Sequence, residues 1–191
     1  MRESDGKGDS TSFADGTSLK SSFFEQLVEH VFIAEVLQEA WYHFHEVVEV
    51  LRSEVDAFGY DLVLECNGVT RHAQLKTSKA EAKAARQNVN QALAANPNIC
   101  VVWIFRDENP ETFRMQPQYL FFGGNAKKPL PRLDKFKLAK HTKGDARGIK
   151  HERREIRVVP KSKFKSVGST RELVEILFGL RPPTDADAQQ G

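Results

Sequence analysis

An α/β fold, with a mixed sheet flanked by helices, follows from three features of the chain. Apolar residues recur at helical spacing between Phe23 and Trp41, two alternating segments meet at Asn67-Gly68, and Ile99 to Phe105 is an almost unbroken apolar run. These predict a leading helix, a β-hairpin and a strand buried on both faces.

Taken in order, Met1 to Ser22 is rich in Ser, Gly, Asp and Lys and is expected to be a disordered tail. Phe24, Leu27, Val28, Val31, Ala34 and Leu37 then mark one face of the leading helix, with Ser21 or Ser22 available as its cap. Glu25 and Glu29 lie one turn apart on that helix, whereas Glu35 and Glu39 read as plain surface. His45 to Val55 is strand-like, and Asp56 to Gly59 makes a turn flanked by Glu54 and Asp56. The hairpin comes next, because Asn67-Gly68 supplies the two positive φ angles that a two-residue turn needs. Its second arm alternates, so Gln74 and Lys76 share one face, with His72 on the same side.

Ser78-Lys79-Ala80-Glu81 has the form of a capping box and predicts a helix from about Lys79 to Ala95, ended by Asn96-Pro97. The strand at Ile99–Phe105 follows, with Cys100 as inert core. A further strand is expected within Phe113 to Phe122, with Pro117 marking a break or an edge. Glu155 to Val159 reads as a short strand. Ser169-Thr170-Arg171-Glu172 is a second capping box, opening a helix that runs to Phe178 and stops at Gly179. The residues from 181 to 191 are expected to be a disordered tail.

Composition narrows the class. The chain has 191 residues, 40% of them hydrophobic and 28% charged, as an ordinary water-soluble domain has. It contains no apolar run long enough for a membrane span, and its first residues lack the apolar core of a secretory signal. Only two cysteines, Cys66 and Cys100, are present, which argues against a disulfide framework and points to a reducing cytoplasm. The net charge of +2 conceals an asymmetry: residues 126–165 hold 15 Lys and Arg against four acids. A basic stretch on an otherwise acidic body suggests a polyanionic partner, since nucleic acid releases condensed counterions to Lys and Arg. Lys79, Lys83, Arg86, Lys135, Lys137, Lys140, Arg153 and Arg154 are the expected contacts. The nucleotide-binding and serine-hydrolase motifs G-x-x-x-x-G-K-[ST], G-x-G-x-x-G and G-x-S-x-G are missing.

The stretch Gly59-Tyr60-Asp61, the hairpin, and Gln74-Leu75-Lys76 together resemble the signature of the PD-(D/E)XK nuclease superfamily, in the style of its small Mrr-like and Holliday-junction-resolvase-like members. The likeness covers about Phe23 to Phe105. It implies a restriction-endonuclease-like αβββαβ core over residues 23–125, with 126–180 as a basic C-terminal extension ending in a short helix packed on that core. It also implies Mg²⁺- or Mn²⁺-dependent hydrolysis of nucleic acid, most naturally DNA. Asp61 would then provide the metal-binding carboxylate, Gln74 a side-chain oxygen, Leu75 a backbone carbonyl, and Lys76 the ammonium that orients water and offsets phosphate charge. A helix glutamate, Glu25 or Glu29, would complete the shell. The commoner pattern is Glu-x-Lys, and Gln74 removes one negative charge from it. The resemblance therefore leaves an alternative: a domain of the same fold that binds nucleic acid or a partner protein without catalysis, as a homodimer or as a subunit of a bacterial defence system.

Overall fold

The hairpin forms where the sequence places it. Asn67 and Gly68 take φ of 49° and 70° and close a two-residue turn between Cys66 and Val69. This computed structural model describes residues 18–52, 59–109, 111, 114–126, 128–141, 143 and 147–182. The expected tails at 1–17 and 183–191, and the turn with Glu54 and Asp56, lie outside the described residues.

Helix α1 spans Ser18–Phe44, so it begins within the stretch expected to be tail. Its buried residues are Val28, Phe32, Val36, Ala40 and Phe44. Steps of four turn the stripe by about 40° each, so it winds around the helix. Ala34 and Leu37 consequently fall on the exposed side, against expectation. His45, at φ 55°, ends the helix, and the Glu46 amide closes on the Ala40 carbonyl.

The strands are β1 (Glu49–Arg52), β2 (Leu62–Cys66), β3 (Val69–Lys79), β4 (Arg86–Asn90), β5 (Ile99–Asn109), β6 (Arg114–Gly123), β7 (Leu138–Lys140), β8 (Glu152–Pro160) and β9 (Lys165–Val167). Helix α2 is Thr170–Phe178. Among the described residues six strands form a mixed sheet in the order β1-β2-β3-β5-β6-β9, in which β3 and β5 alone run parallel. Pro117 sits where β6 is an edge, because β9 covers only Tyr119 to Phe121.

Each face of this sheet has its own core. On one side α1 and α2 pack over Leu62, Leu64, Ala73, Cys100, Val102 and Ile104. On the other, a small sheet in the order β4-β8-β7 and a 3-10 turn at Gln91–Ala95 cover Ile99, Val101, Trp103 and Phe105. Ile99 to Phe105 is thus buried on both faces, as its composition requires.

The helix expected over Lys79 to Ala95 does not form. Ser78, its supposed cap, instead accepts a hydrogen bond from the Trp103 indole at 3.0 Å, and β3 stays paired with β5 through Lys79 and Arg106. The segment offers only Val89 and Leu93 as large apolar residues, too few for a helix face. Its residues 86–90 form strand β4 and pair with β8 instead, the 3-10 turn follows, and Val89 and Leu93 become fully buried.

The stretch after residue 125 is accordingly part of the fold rather than an appended arm. β8 completes the small sheet, β9 extends the large one, and α2 docks Leu173, Val174 and Leu177 into the helix-side core. Ser169 caps α2 as its sequence predicts, accepting from the Glu172 amide at 3.1 Å, and Gly179 at φ 72° ends it. Glu35 is not plain surface: it accepts the Thr170 hydroxyl at 3.0 Å and ties α1 to α2. Glu39 likewise meets His43 and Arg171.

Candidate functional site

Strand β3 outruns its neighbour. The β2 ladder ends with Leu62 opposite Ala73, so among the described residues the next residues of β3 have no strand beside them on that edge. Asp61 occupies that edge. Its amide donates to the Ala73 carbonyl at 3.0 Å, and its Oδ2 accepts the Leu75 amide at 2.6 Å. Leu75 directs its carbonyl to the same side as its amide, as any strand residue does.

Gln74 stands beside this pair. Alternation puts Val69, Ala73 and Leu75 on the helix side and His72, Gln74, Lys76 and Ser78 on the side of the small sheet. Asp61 follows the end of the ladder with its amide turned to the Ala73 carbonyl, so strand alternation does not extend to it; its carboxylate meets β3 at the Leu75 amide, next in sequence to Gln74. Gln74 is only 6% exposed. Its Nε2 donates to the Gly59 carbonyl, which fixes the amide, and its Oε1 has no hydrogen-bond partner among the described residues. Gly59 holds φ at 75°, a conformation that other residues adopt only with strain, and so aims its carbonyl at Gln74.

Lys76, half-buried, lies two residues further along, opposite Trp103 of β5. His72, two residues back, packs its ring edge-on against Tyr60 with centroids 4.7 Å apart. The Asn96 Oδ1 accepts from the Asn98 amide, which turns its Nδ2 toward the His72 Nδ1 at 3.4 Å. An amide nitrogen can only donate, so this contact requires an unprotonated Nδ1. Burial also pushes its pKa below the ordinary value.

The structure therefore joins Asp61 to Leu75 and puts Gln74 and Lys76 on one face of the same strand, but it does not bring the helix glutamates to them. Helix α1 packs on the opposite face of the sheet, where Glu29 pairs with Arg52 at 3.0 Å and Glu25 is exposed. Among the described residues no group of three or more His, Cys, Asp or Glu side chains is placed to share a metal ion. Both cysteines are buried, and burial raises their pKa, that of Cys66 to about 11. Neither is a nucleophile under ordinary conditions.

The basic residues do not line one helix. Lys79 ends β3, Lys83 lies in the following loop and Arg86 starts β4, so no helix N-terminus stands behind them. Arg86, Lys135 and Lys137 converge on one cleft, whereas Lys140, Arg153 and Arg154 lie outside its lining. Arg153 pairs with Glu155 at 3.4 Å.

Sequence reasoning missed the Gly59 carbonyl, which no motif signals, and Arg132 and Lys163, which join the cleft. It also missed Arg71, fully buried and giving its Nη1 and Nη2 to the Asn125 and Gly124 carbonyls at 3.2 and 3.1 Å. Comparison with known proteins finds no matching family model, curated protein or solved structure.

Proposed function

We propose that this chain hydrolyses phosphodiester bonds in nucleic acid, with Asp61, Gln74 and Lys76 as its centre, in the manner of the PD-(D/E)XK nucleases that the sequence resembles. One observation carries the reading: the Gln74 Oε1 is buried and has no donor among the described residues, on the strand whose next amide, that of Leu75, holds the Asp61 carboxylate. A buried acceptor left unpaired costs about 1–3 kcal/mol, a cost that a cation or its water would remove. One carboxylate, one amide oxygen and the Leu75 carbonyl fit a hard cation such as Mg²⁺, which takes oxygen ligands and keeps several waters. Glu25 and Glu29 stand outside this donor set.

When bound, the cation would supply charge that makes a water acidic and offsets the phosphate. The chain does the rest. Asp61, pinned by the Leu75 amide, presents its carboxylate in one orientation, and the Gly59 carbonyl does the same for the Gln74 amide. Lys76 places an ammonium one pleat repeat beyond Gln74, where it attracts the phosphate and holds the attacking water. The basic residues around β4 and β7 draw the polyanion to the surface.

The deciding experiment incubates the full chain with plasmid and linear DNA in Mg²⁺ or Mn²⁺, beside Asp61→Ala and Lys76→Ala. Cleavage by the parent that both substitutions abolish is expected; cleavage that survives both removes the site.

A second reading, a binding module without turnover, has its own support. Asp61 already accepts the Leu75 amide with one oxygen, and no group of three or more His, Cys, Asp or Glu side chains is placed to share an ion among the described residues. It predicts salt-dependent binding that Asp61→Ala leaves intact and no cleavage with either cation.

A further inference from the structure

We propose that the cleft between β4, the loop before β7 and the turn after β8 seats one unpaired strand of nucleic acid. This rests on nucleic acid being the partner and is independent of hydrolysis. The cleft measures about 840 Å³ and is lined by Arg86, Arg132, Lys135, Lys137 and Lys163, with no carboxylate in its lining among the described residues. Arg132 is bonded to the exposed Asp134 beside it, which leaves four cations in the cleft to meet phosphates. These charges come from three separate segments of the chain, so the fold gathers them; no local run of sequence does.

The floor selects the form of the polyanion. Ala85, Pro131, Val158, Pro160 and the Phe136 ring supply apolar surface between the charges. Phe136 is held edge-on against Phe122 at 6.2 Å, so its ring is already fixed before any ligand arrives. A duplex offers a protein surface its phosphates and groove edges, whereas a single strand exposes the flat faces of its bases, which rest on aromatic and apolar side chains. A volume in the range of small-ligand sites suits a few nucleotides of one strand. Strand β4 also connects the cleft to the Gln74 face. Arg86 begins it, and Asn90 ends it beside Gly59, where an added Cβ would lie 3.5 Å from the Asn90 Cβ. Four residue steps span roughly 13 Å, a few nucleotides of reach.

Fluorescence anisotropy with the full chain in EDTA tests the proposal, using a labelled single-stranded oligonucleotide of about 12 nucleotides and its blunt duplex. The single strand should bind about 10-fold more tightly. Lys137→Glu and Lys163→Glu should each weaken it by about 10-fold and lower the slope of log K against log salt by about one. Phe136→Leu should cost about 5-fold or more. Arg181→Glu, outside the cleft, should bind like the parent. Milder Lys137→Gln and Lys163→Gln variants with parental melting temperatures guard against misfolding. Single-strand affinity within twofold of the parent in the cleft variants, or equal binding of duplex, overturns the cleft while leaving nucleic acid as partner. Binding of neither oligonucleotide overturns both.

Discussion

The Asp61 Oδ2 accepts the Leu75 amide hydrogen at 2.6 Å, at a point where the β2 ladder has already ended. The carboxylate thus stands in for a missing strand residue and is held for chemistry by the same bond. Asp61→Asn preserves the shape but loses the charge. We expect cleavage to fall by about 100-fold or more, while stability falls by about 1 kcal/mol, since a charged acceptor becomes neutral. Plasmid cleavage and urea denaturation measure the two separately.

Gln74→Glu restores the commoner Glu-x-Lys pattern and places a carboxylate on the residue before Leu75, whose amide holds Asp61. The new side chain cannot donate to the Gly59 carbonyl, so in EDTA the variant should melt several degrees below the parent. Saturating Mg²⁺ or Mn²⁺ should raise its melting temperature more than the parent's, because a ligand that binds only the folded state stabilises it. An equal response to the cation in both proteins would argue against a cation between these residues.

Gly59→Ala tests the carbonyl that orients Gln74. At φ 75° an alanine should cost about 1–2 kcal/mol, although its Cβ would meet Asn90 and Leu93 only at ordinary contact distances. A chemical denaturation curve reads the loss, and activity should fall beyond what the loss of folded protein explains.

Arg71→Ala should be the most damaging single change, at about 3–5 kcal/mol. It opens a cavity in the sheet and deprives the Gly124 and Asn125 carbonyls of their donors. Arg71→Lys should recover only part of that, since an ammonium lacks the fork that reaches both carbonyls. Equilibrium unfolding of the two variants makes the comparison.

His72 gives a pH dependence of definite sign. Its folded pKa lies below the ordinary value of 6.5, so the unfolded chain binds the proton more readily. Its contribution to stability is whole above about pH 6.5 and is lost as the pH falls through that value toward the lower folded one. Comparing His72→Gln with the parent between pH 7.5 and pH 5 by thermal melting isolates the effect, and the variant should show the shallower decline.

Much of this was legible from local chemistry. Asn67-Gly68 specified the hairpin, the run Ile99 to Phe105 declared its double burial, and Ser169 with Glu172 marked the start of α2. What stayed hidden depends on distant partners. Ser78 looks like a cap until Trp103 arrives to claim its hydroxyl, and the alanine-rich segment after it looks helical until β8 offers an edge. Gln74 and Lys76 could be placed on one face by alternation alone, yet nothing local says that α1 and its glutamates take the opposite side.

The pairing of Gln87 with Val159 and of Asn90 with Ile156 has a consequence for how the molecule is made. The roof over the Gln74 and Lys76 row cannot close until residues more than sixty positions downstream have left the ribosome. During synthesis Trp103 and Phe105 therefore wait uncovered, a period of exposure when the nascent chain is most open to aggregation. A shortened chain ending at residue 125 would retain every residue of the Asp61, Gln74 and Lys76 trio and still fail to mature, since its floor would have no ceiling.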